Sequence, residues 1–389
     1  MDGQLVGGAH TFLVKLMNPL SGFGNEVYFL SKGAPVAKSA DGLDDCGAVL
    51  NTRLWTGAEL VEDAAPAVAN WVNKLKPEIF VVSVSPDIGW AVLPMLDPDI
   101  ATLTIGHNDS QTFYAPAGHY RDFLTKAIGV SDEICLNYVS RSGIDPKRVE
   151  WIPYGVRTSD TTLIDAGGPL KMVYVGRVEE GQKRFSDLVQ VAKRLFADDV
   201  DIIFHVVGDG ESMPVVRQEL ANEVAAGKVV LHGWLESDDV IEIVRESEVF
   251  VLASGYEGFC IALVEAMANG CAPVVTDIKS GNKQLVEDGV NGFVVPVGDI
   301  DAFVDRIKVL AADRVKLLKF RRRAWETGSQ YSIDRMVDSY ERCFEEAIRD
   351  AREHPRTPDP NFPLMESCRS KYPLWLRRLK AKAKGLTAN

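Results

Sequence analysis

One pattern dominates the second half of the chain: a short unbroken run of apolar, mostly branched residues, then an amphipathic stretch, repeated. The runs are LKMVYVG (170–176), DIIFHVVG (201–208), KVVLHG (228–233), EVFVLAS (248–254), APVV (272–275) and GFVVP (292–296). A strand with one wet face alternates apolar and polar residues, so runs without alternation predict strands covered on both faces. Separated by helical patterns such as KRFSDLVQVAKRLF (183–196), they predict a parallel sheet with helices on each side, a doubly wound α/β domain.

The first half repeats the theme with less regularity, in NEVYFLS (25–31), EIFVVSVS (78–85), ATLTIG (101–106), KAIGVS (126–131) and VEWIPYG (149–155). A chain of 389 residues exceeds one ordinary core, so two domains are expected. The first spans 1–155, a polar, Gly-rich linker 156–169, and the second domain 170–330. A C-terminal helix over 331–354, able to cross back to the first domain, precedes a Pro-rich and then basic tail, 355–389. In such sheets ligands bind outside the carboxyl ends of the strands, which places the expected site in a cleft faced by both domains.

A net charge of −12 argues against a general nucleic-acid binder. No apolar run has transmembrane length, and no basic start precedes an apolar stretch at the N-terminus, so a cytoplasmic location is expected. Six cysteines (46, 135, 260, 271, 343 and 368) form no CxxC pair and have no His at metal spacing, which points to reduced thiols and no metal site. From Arg369 onward there are seven basic and no acidic residues, interleaved with Leu374, Trp375, Leu376 and Leu379. Such a tail suits either a solvated segment or peripheral contact of 369–389 with an anionic membrane at its inner face.

Two charged clusters carry chemistry. In SGYEGFCIALVEAMANGCAPVV (254–275), Glu257 stands just ahead of a helix expected to begin near Phe259, and Glu265 stands two turns further on, roughly 12 Å along the axis. The amides of Phe259, Cys260 and Ile261, with the helix dipole, suit phosphate. Two acids so placed can hold hydroxyls at both ends of a ligand whose phosphates lie between them, the shape of a nucleotide-sugar. In VGRVEEGQKRF (175–185), Arg177 follows a strand and Lys183 opens a helix, a pair able to stabilise a departing diphosphate without a metal. Each residue alone could be a capping acid or a surface charge; the joint order favours a site. VVGDGESM has Met213 at the third glycine of a dinucleotide fingerprint, which disfavours an NAD-dependent oxidoreductase.

The stretch EGFCIALVEAMANGCAPVV (257–275), preceded by Gly176-Arg177, five residues and Lys183, resembles glycosyltransferase family 4 (glycosyl transferases group 1). These are retaining, nucleotide-sugar-dependent enzymes of the GT-B fold. The resemblance extends to about Ala347 and is strongest over 170–300. It implies diphosphate contacts from Arg177 and Lys183, a transferred-sugar contact from Glu257, a ribose contact from Glu265, and phosphate and sugar contacts from the amides after Gly258. Gly208, Asp209, Gly233 and Trp234 would border the nucleoside. In the acceptor-side first domain, Gly7 and Gly8 would form the glycine turn against the diphosphate. His107 would hydrogen bond near the reacting centre; a buried structural His is the alternative, and that role is the default for the other histidines, with His10 and His119 also able to face the acceptor. The family has a strand before the glycine turn, whereas only six residues precede Gly7, so the first domain is expected to lack that strand or the chain to start further upstream. Cys260 replaces a common glycine and is expected to narrow the sugar pocket. The implied activity is transfer of a hexose-type sugar to an acceptor hydroxyl of a polysaccharide or glycolipid, with no cofactor. Epimerisation or phosphorolysis of a sugar donor on the same fold, and nucleotide-sugar binding without transfer, are the alternatives.

Overall fold

The computed structural model describes residues 8–30, 49–52, 60–83, 87–158, 163, 167–279 and 281–365. The chain divides into two compact units, one comprising Met1–Pro153 with Met336–Asn389, the other Tyr154–Arg335.

In the first unit the elements run α1 (Gly8–Gly22), β1 (Val27–Leu30), β2 (Val49–Thr52), α2 (Val61–Leu75), β3 (Ile79–Val82), α3 (Asp87–Val92), β4 (Ala101–Gly106), α4 (Gln111–His119), β5 (Lys126–Gly129), α5 (Asp132–Ser140) and β6 (Val149–Trp151). They form two parallel sheets among the described residues, β1-β2 and β3-β4-β5-β6. β4 is buried at all six positions although its sequence, ATLTIG, alternates with threonine; the Thr102 hydroxyl is accommodated by donating to the Phe123 carbonyl at 2.6 Å. α2 shows the opposite pattern, burying Ala64, Ala65, Val68, Ala69 and Val72 along one stripe. β2 is absent from the sequence expectation because its four residues, VLNT, are half polar and announce no apolar run.

The second unit holds β7 (Leu170–Val175), α6 (Phe185–Ala197), β8 (Ile202–Val207), α7 (Met213–Glu219), α8 (Ala221–Ala225), β9 (Val229–Gly233), α9 (Ser237–Glu246), β10 (Val249–Leu252), α10 (Ile261–Ala268), β11 (Ala272–Thr276), α11 (Asn282–Leu285), β12 (Phe293–Val295), α12 (Ile300–Ala312) and α13 (Arg314–Gly328). All six expected strands join one parallel sheet in the order β12-β11-β10-β7-β8-β9. That is the 3-2-1-4-5-6 order of a doubly wound sheet, and its direction reverses between β7 and β10. The loops after β7 and β10 therefore border the switch point, where such sheets take ligands.

Val156 pairs with Ser332 in a parallel bridge, its amide donating to the Tyr331 carbonyl at 2.8 Å. Tyr154 to Val156 accordingly belong to the second unit, and the boundary falls after Pro153 rather than after residue 155. The final helix, α14 (Ile333–Glu353), leaves the second unit in its first turn; its buried face, Met336, Val337, Tyr340, Cys343, Ala347 and Ala351, lies in the first. The Pro-rich segment that follows straps the same unit. Arg356 donates to the carbonyls of Asp97 (2.7 Å) and Ile100 (2.5 Å), the Asp359 amide to Pro94 O (2.8 Å), and Phe362 packs against His119, Tyr120 and Phe123. Asp97-Pro98-Asp99 is thus a turn whose carbonyl is capped by Arg356. Residues 366–389, including the basic tail and Cys368, lie outside the described residues, as do Gly7 and Cys46. Among the described residues, no helix is long and apolar enough to cross a membrane. Cys135, Cys260, Cys271 and Cys343 are free thiols, each pushed up to about 12 by burial.

Candidate functional site

Glu257 is the centre of the cluster in the second unit. It lies in the loop between β10 and α10, only 5% exposed. Its Oε1 accepts from Lys183 Nζ (2.6 Å) and Ser254 Oγ (2.7 Å), and its Oε2 accepts from Gln182 Nε2 (3.1 Å). Ser254 is held in turn, its carbonyl accepting from Thr276 Oγ1 at 2.6 Å. An ionised carboxylate has about four acceptor sites, so Glu257 keeps about one for a ligand hydroxyl. Burial alone disfavours the Lys183 ammonium, but the Glu257 carboxylate outweighs it and holds the amine above its ordinary value. Lys183 therefore stays charged throughout the physiological range.

Arg177 occupies the same loop and is the accessible member, its side chain 61% exposed. Its Nη2 donates to Gln182 Oε1 at 2.7 Å, and its carbonyl accepts from the Tyr174 hydroxyl at 2.6 Å. The Glu179 carboxylate accepts from the amides of Gln182 and Lys183, both at 3.1 Å, and so folds the spacer between the two cations into a turn. Arg184, next in the chain, is held at φ 48°, a left-handed conformation uncommon for a side chain of this kind.

Gly208 fixes this loop from the other side. Its amide donates to Gly233 O at 2.7 Å, and a Cβ there would stand 2.0 Å from Gly176 O, at a φ of +123°. The Asp209 carbonyl accepts from the Val178 amide at 3.0 Å, and its Oδ1 from the Gly210 amide at 2.8 Å. Gly208, Asp209 and Gly233 are thereby backbone supports of the Arg177 loop, while the Trp234 ring stands half exposed beyond β9.

α10 begins at Ile261, with Cys260 as its N-cap, two residues later than expected. Glu257 is therefore in irregular backbone, and the 12 Å helical spacing to Glu265 does not apply; Glu265 is half-buried one turn inside α10. The amides of Leu263 and Val264 both reach the Cys260 carbonyl, which leaves those of Cys260, Ile261 and Ala262 ahead of the first intrahelical acceptor. Phe259 turns away into the core, 4% exposed between Tyr154 and Tyr331. A Cβ at Gly281 would strike its ring at 2.4 Å, so Gly281 allows this seat, and its amide donates to the Gly258 carbonyl. The Cys260 side chain is likewise buried, 4% exposed.

His107 and Gly8 belong to the first unit. Gly8 is the first residue of α1. His107 directly follows β4, 4% exposed, with Nε2 2.7 Å from Ser83 Oγ and its ring against Phe12 and Phe113. Burial lowers it to about 3, so it is neutral at physiological pH. Other histidines find local partners: His205 Nδ1 lies 3.0 Å from His232 Nε2, His119 Nε2 2.7 Å from Pro363 O, and His354 Nδ1 3.2 Å from Asp350. The side chain of His10 lies outside the described residues. Among the described residues no three His, Cys, Asp or Glu side chains are grouped as a metal site.

The sequence signal missed Gln182, Glu179 and Ser254. The first two sit inside the spacer between Arg177 and Lys183, and nothing in that spacing marks a residue that contacts both arms.

The loop after β7 thus brings Lys183 and, through Gln182, Arg177 to a buried carboxylate in the loop after β10, ahead of the α10 N-terminus. Residues 162–329 match the family model of the glycosyl transferases group 1. One relative is the Escherichia coli UDP-Gal:alpha-D-GlcNAc-diphosphoundecaprenol alpha-1,3-galactosyltransferase, 30% identical over 47% of this chain and 49% of that protein. The chain spans about half the length of the curated relatives it matches. Among solved structures, a glycosyltransferase from Rickettsia africae has a TM-score of 0.73 at 18% identity, covering 89% of this chain and 97% of that one. Alr3699/HepE of Anabaena, solved in complex with UDP, has a TM-score of 0.70 at 15% identity, covering 87% and 96%. The fold is GT-B.

Proposed function

We propose that this chain is a retaining glycosyltransferase of family 4 type, transferring a hexose-type sugar from a UDP-sugar to an acceptor hydroxyl of a polysaccharide or glycolipid, without a metal. The observation that carries the reading is the convergence of Arg177, Lys183 and Glu257 at the switch point of the second sheet. Uridine as the base is supported by the UDP-linked sugar in the name of the E. coli relative and by the UDP complex of the Anabaena protein.

Arg177 and Lys183 neutralise the diphosphate as the glycosidic bond to it breaks, and the N-terminal amides of α10 add their dipole. Glu257 uses its remaining acceptor site for a sugar hydroxyl, and Glu265 takes the ribose. A β-phosphate oxygen accepts the acceptor's proton. His107, neutral and poorly basic, serves as a hydrogen-bonding group rather than a general base.

UDP is expected to raise the melting temperature by several degrees, more than GDP or ADP at equal concentration, because a ligand of the native state stabilises it. No shift with any of the three rejects the site. Labelled UDP-sugar, incubated with and without acceptor, separates transfer from epimerisation and from binding alone. Residues 369–389 are proposed to touch anionic membrane from the cytoplasmic side, each basic residue near the surface contributing about 1 kcal/mol. Deleting them is expected to abolish sedimentation with phosphatidylserine vesicles; unchanged sedimentation removes the idea.

A further inference from the structure

The side chain of Gln182 joins the two charged arms of the site. Its Oε1 accepts a hydrogen bond from Arg177 Nη2 at 2.7 Å, while its Nε2 donates to Glu257 Oε2 at 3.1 Å and to the Tyr256 carbonyl at 3.1 Å. These partners settle the amide's orientation. A guanidinium only donates and a carboxylate only accepts, so the flipped amide would set donor against donor and acceptor against acceptor. The backbone of Gln182 is pinned as well, through its amide to Glu179.

We propose that Gln182 is a positioning residue for donor binding, holding the exposed Arg177 guanidinium and the buried Glu257 carboxylate in fixed relation. The proposal rests on the reading of Arg177 and Glu257 as donor contacts. Arg177, 61% exposed, is a long side chain whose rotamer freedom would otherwise be lost on binding diphosphate. Gln182 removes part of that loss beforehand, which is how preorganisation raises affinity. At Glu257 the same amide occupies one site of Oε2, orienting the site left for a sugar hydroxyl. Both effects act through other residues, Arg177 and Glu257.

The test is a double-mutant cycle read by UDP binding in calorimetry, with melting temperatures recorded to show that each protein is folded. Gln182→Met keeps the length of the side chain and removes all three of its hydrogen bonds. It is expected to raise the Kd for UDP roughly three- to tenfold, the loss of one modest hydrogen bond. Arg177→Met is expected to raise it further. The double variant is expected to bind UDP no more weakly than Arg177→Met alone, because Gln182 then positions only Glu257, whose sugar partner UDP lacks. Independent, multiplying effects overturn the proposal, as does a Gln182→Met Kd within twofold of wild type. Gln182→Glu tests the other arm without relying on that variant. It sets a second carboxylate about 3 Å from Glu257 and is expected to lower kcat at saturating UDP-sugar by roughly tenfold or more; a kcat within twofold of wild type overturns it. Wild-type protein that binds no UDP overturns the donor-site reading and this proposal together, whereas wild-type binding with failed coupling overturns this proposal alone.

Discussion

Replacing Lys183 with alanine is expected to lower turnover by on the order of 10²–10³, the usual loss when a preorganised charge contact to a transition state is removed. The structure adds a second consequence. Lys183 Nζ is 2.6 Å from a carboxylate that is almost wholly buried, so the substitution strands a charge as well as removing one. Breaking a buried ion pair from one side costs about 3–5 kcal/mol, which lowers the melting temperature by about 5 °C in a protein of this size. The two effects are separable. In the double variant Lys183→Met/Glu257→Gln no charge is stranded, and a neutral amide oxygen still accepts from Ser254. Most of the lost stability is expected to return while turnover stays low. Turnover at saturating donor, measured well below each variant's melting temperature, decides the matter. A fall of less than threefold in Lys183→Ala removes Lys183 from the chemistry, and a double variant as unstable as the single one removes the buried-pair explanation.

Acid is expected to destabilise the first unit through His107. The folded protein holds this imidazole neutral, at about 3, chiefly by burial, whereas an unfolded histidine titrates near 6.5. Above about pH 6.5 both states are neutral and the residue adds no pH dependence. As pH falls from there toward 3, the unfolded chain binds a proton that the folded chain refuses, so stability declines by about 1.4 kcal/mol per pH unit. Between pH 6.5 and 4 that amounts to about 3 kcal/mol. Urea denaturation of wild type and His107→Gln at a series of pH values isolates the effect, since carboxylates titrating in the same window contribute to both. The chain has a pI near 5.1, so dilute protein is needed around that pH. Parallel stability curves for the two proteins would show that His107 titrates normally. Activity carries an independent readout: a neutral hydrogen-bonding group tolerates Gln in part, while a general base does not.

Much of the second unit was legible from the chain, and for a physical reason. A strand covered on both faces must be apolar at successive positions, so each of its six strands announced itself. The first unit was less legible: VLNT at β2 carries no apolar run, and the packed segment through Arg356 and Phe362 looks like an ordinary Pro-rich helix stop. The charged residues that meet at the switch point could be named in advance because their kinds and order form a motif readable along the chain. Their mutual contacts could not. The regular-helix geometry drawn from Glu257 to Glu265 failed because Gly258 to Cys260 precede the helix, and the packing of the Phe259 side chain in the core, which seats the loop, was not legible.

The residues by themselves determined the element types, the two-unit plan and the presence of two cations and two acids in a set order, because periodicity and charge are local properties of a chain. Which of those groups touch was decided only by the order of strands in the folded sheet. β7 and β10 are neighbours at the point where that order reverses, and this brings Lys183 and Gln182 onto Glu257, 74 and 75 positions further along the chain. No local pattern encodes a partner at that distance; packing of the whole sheet does.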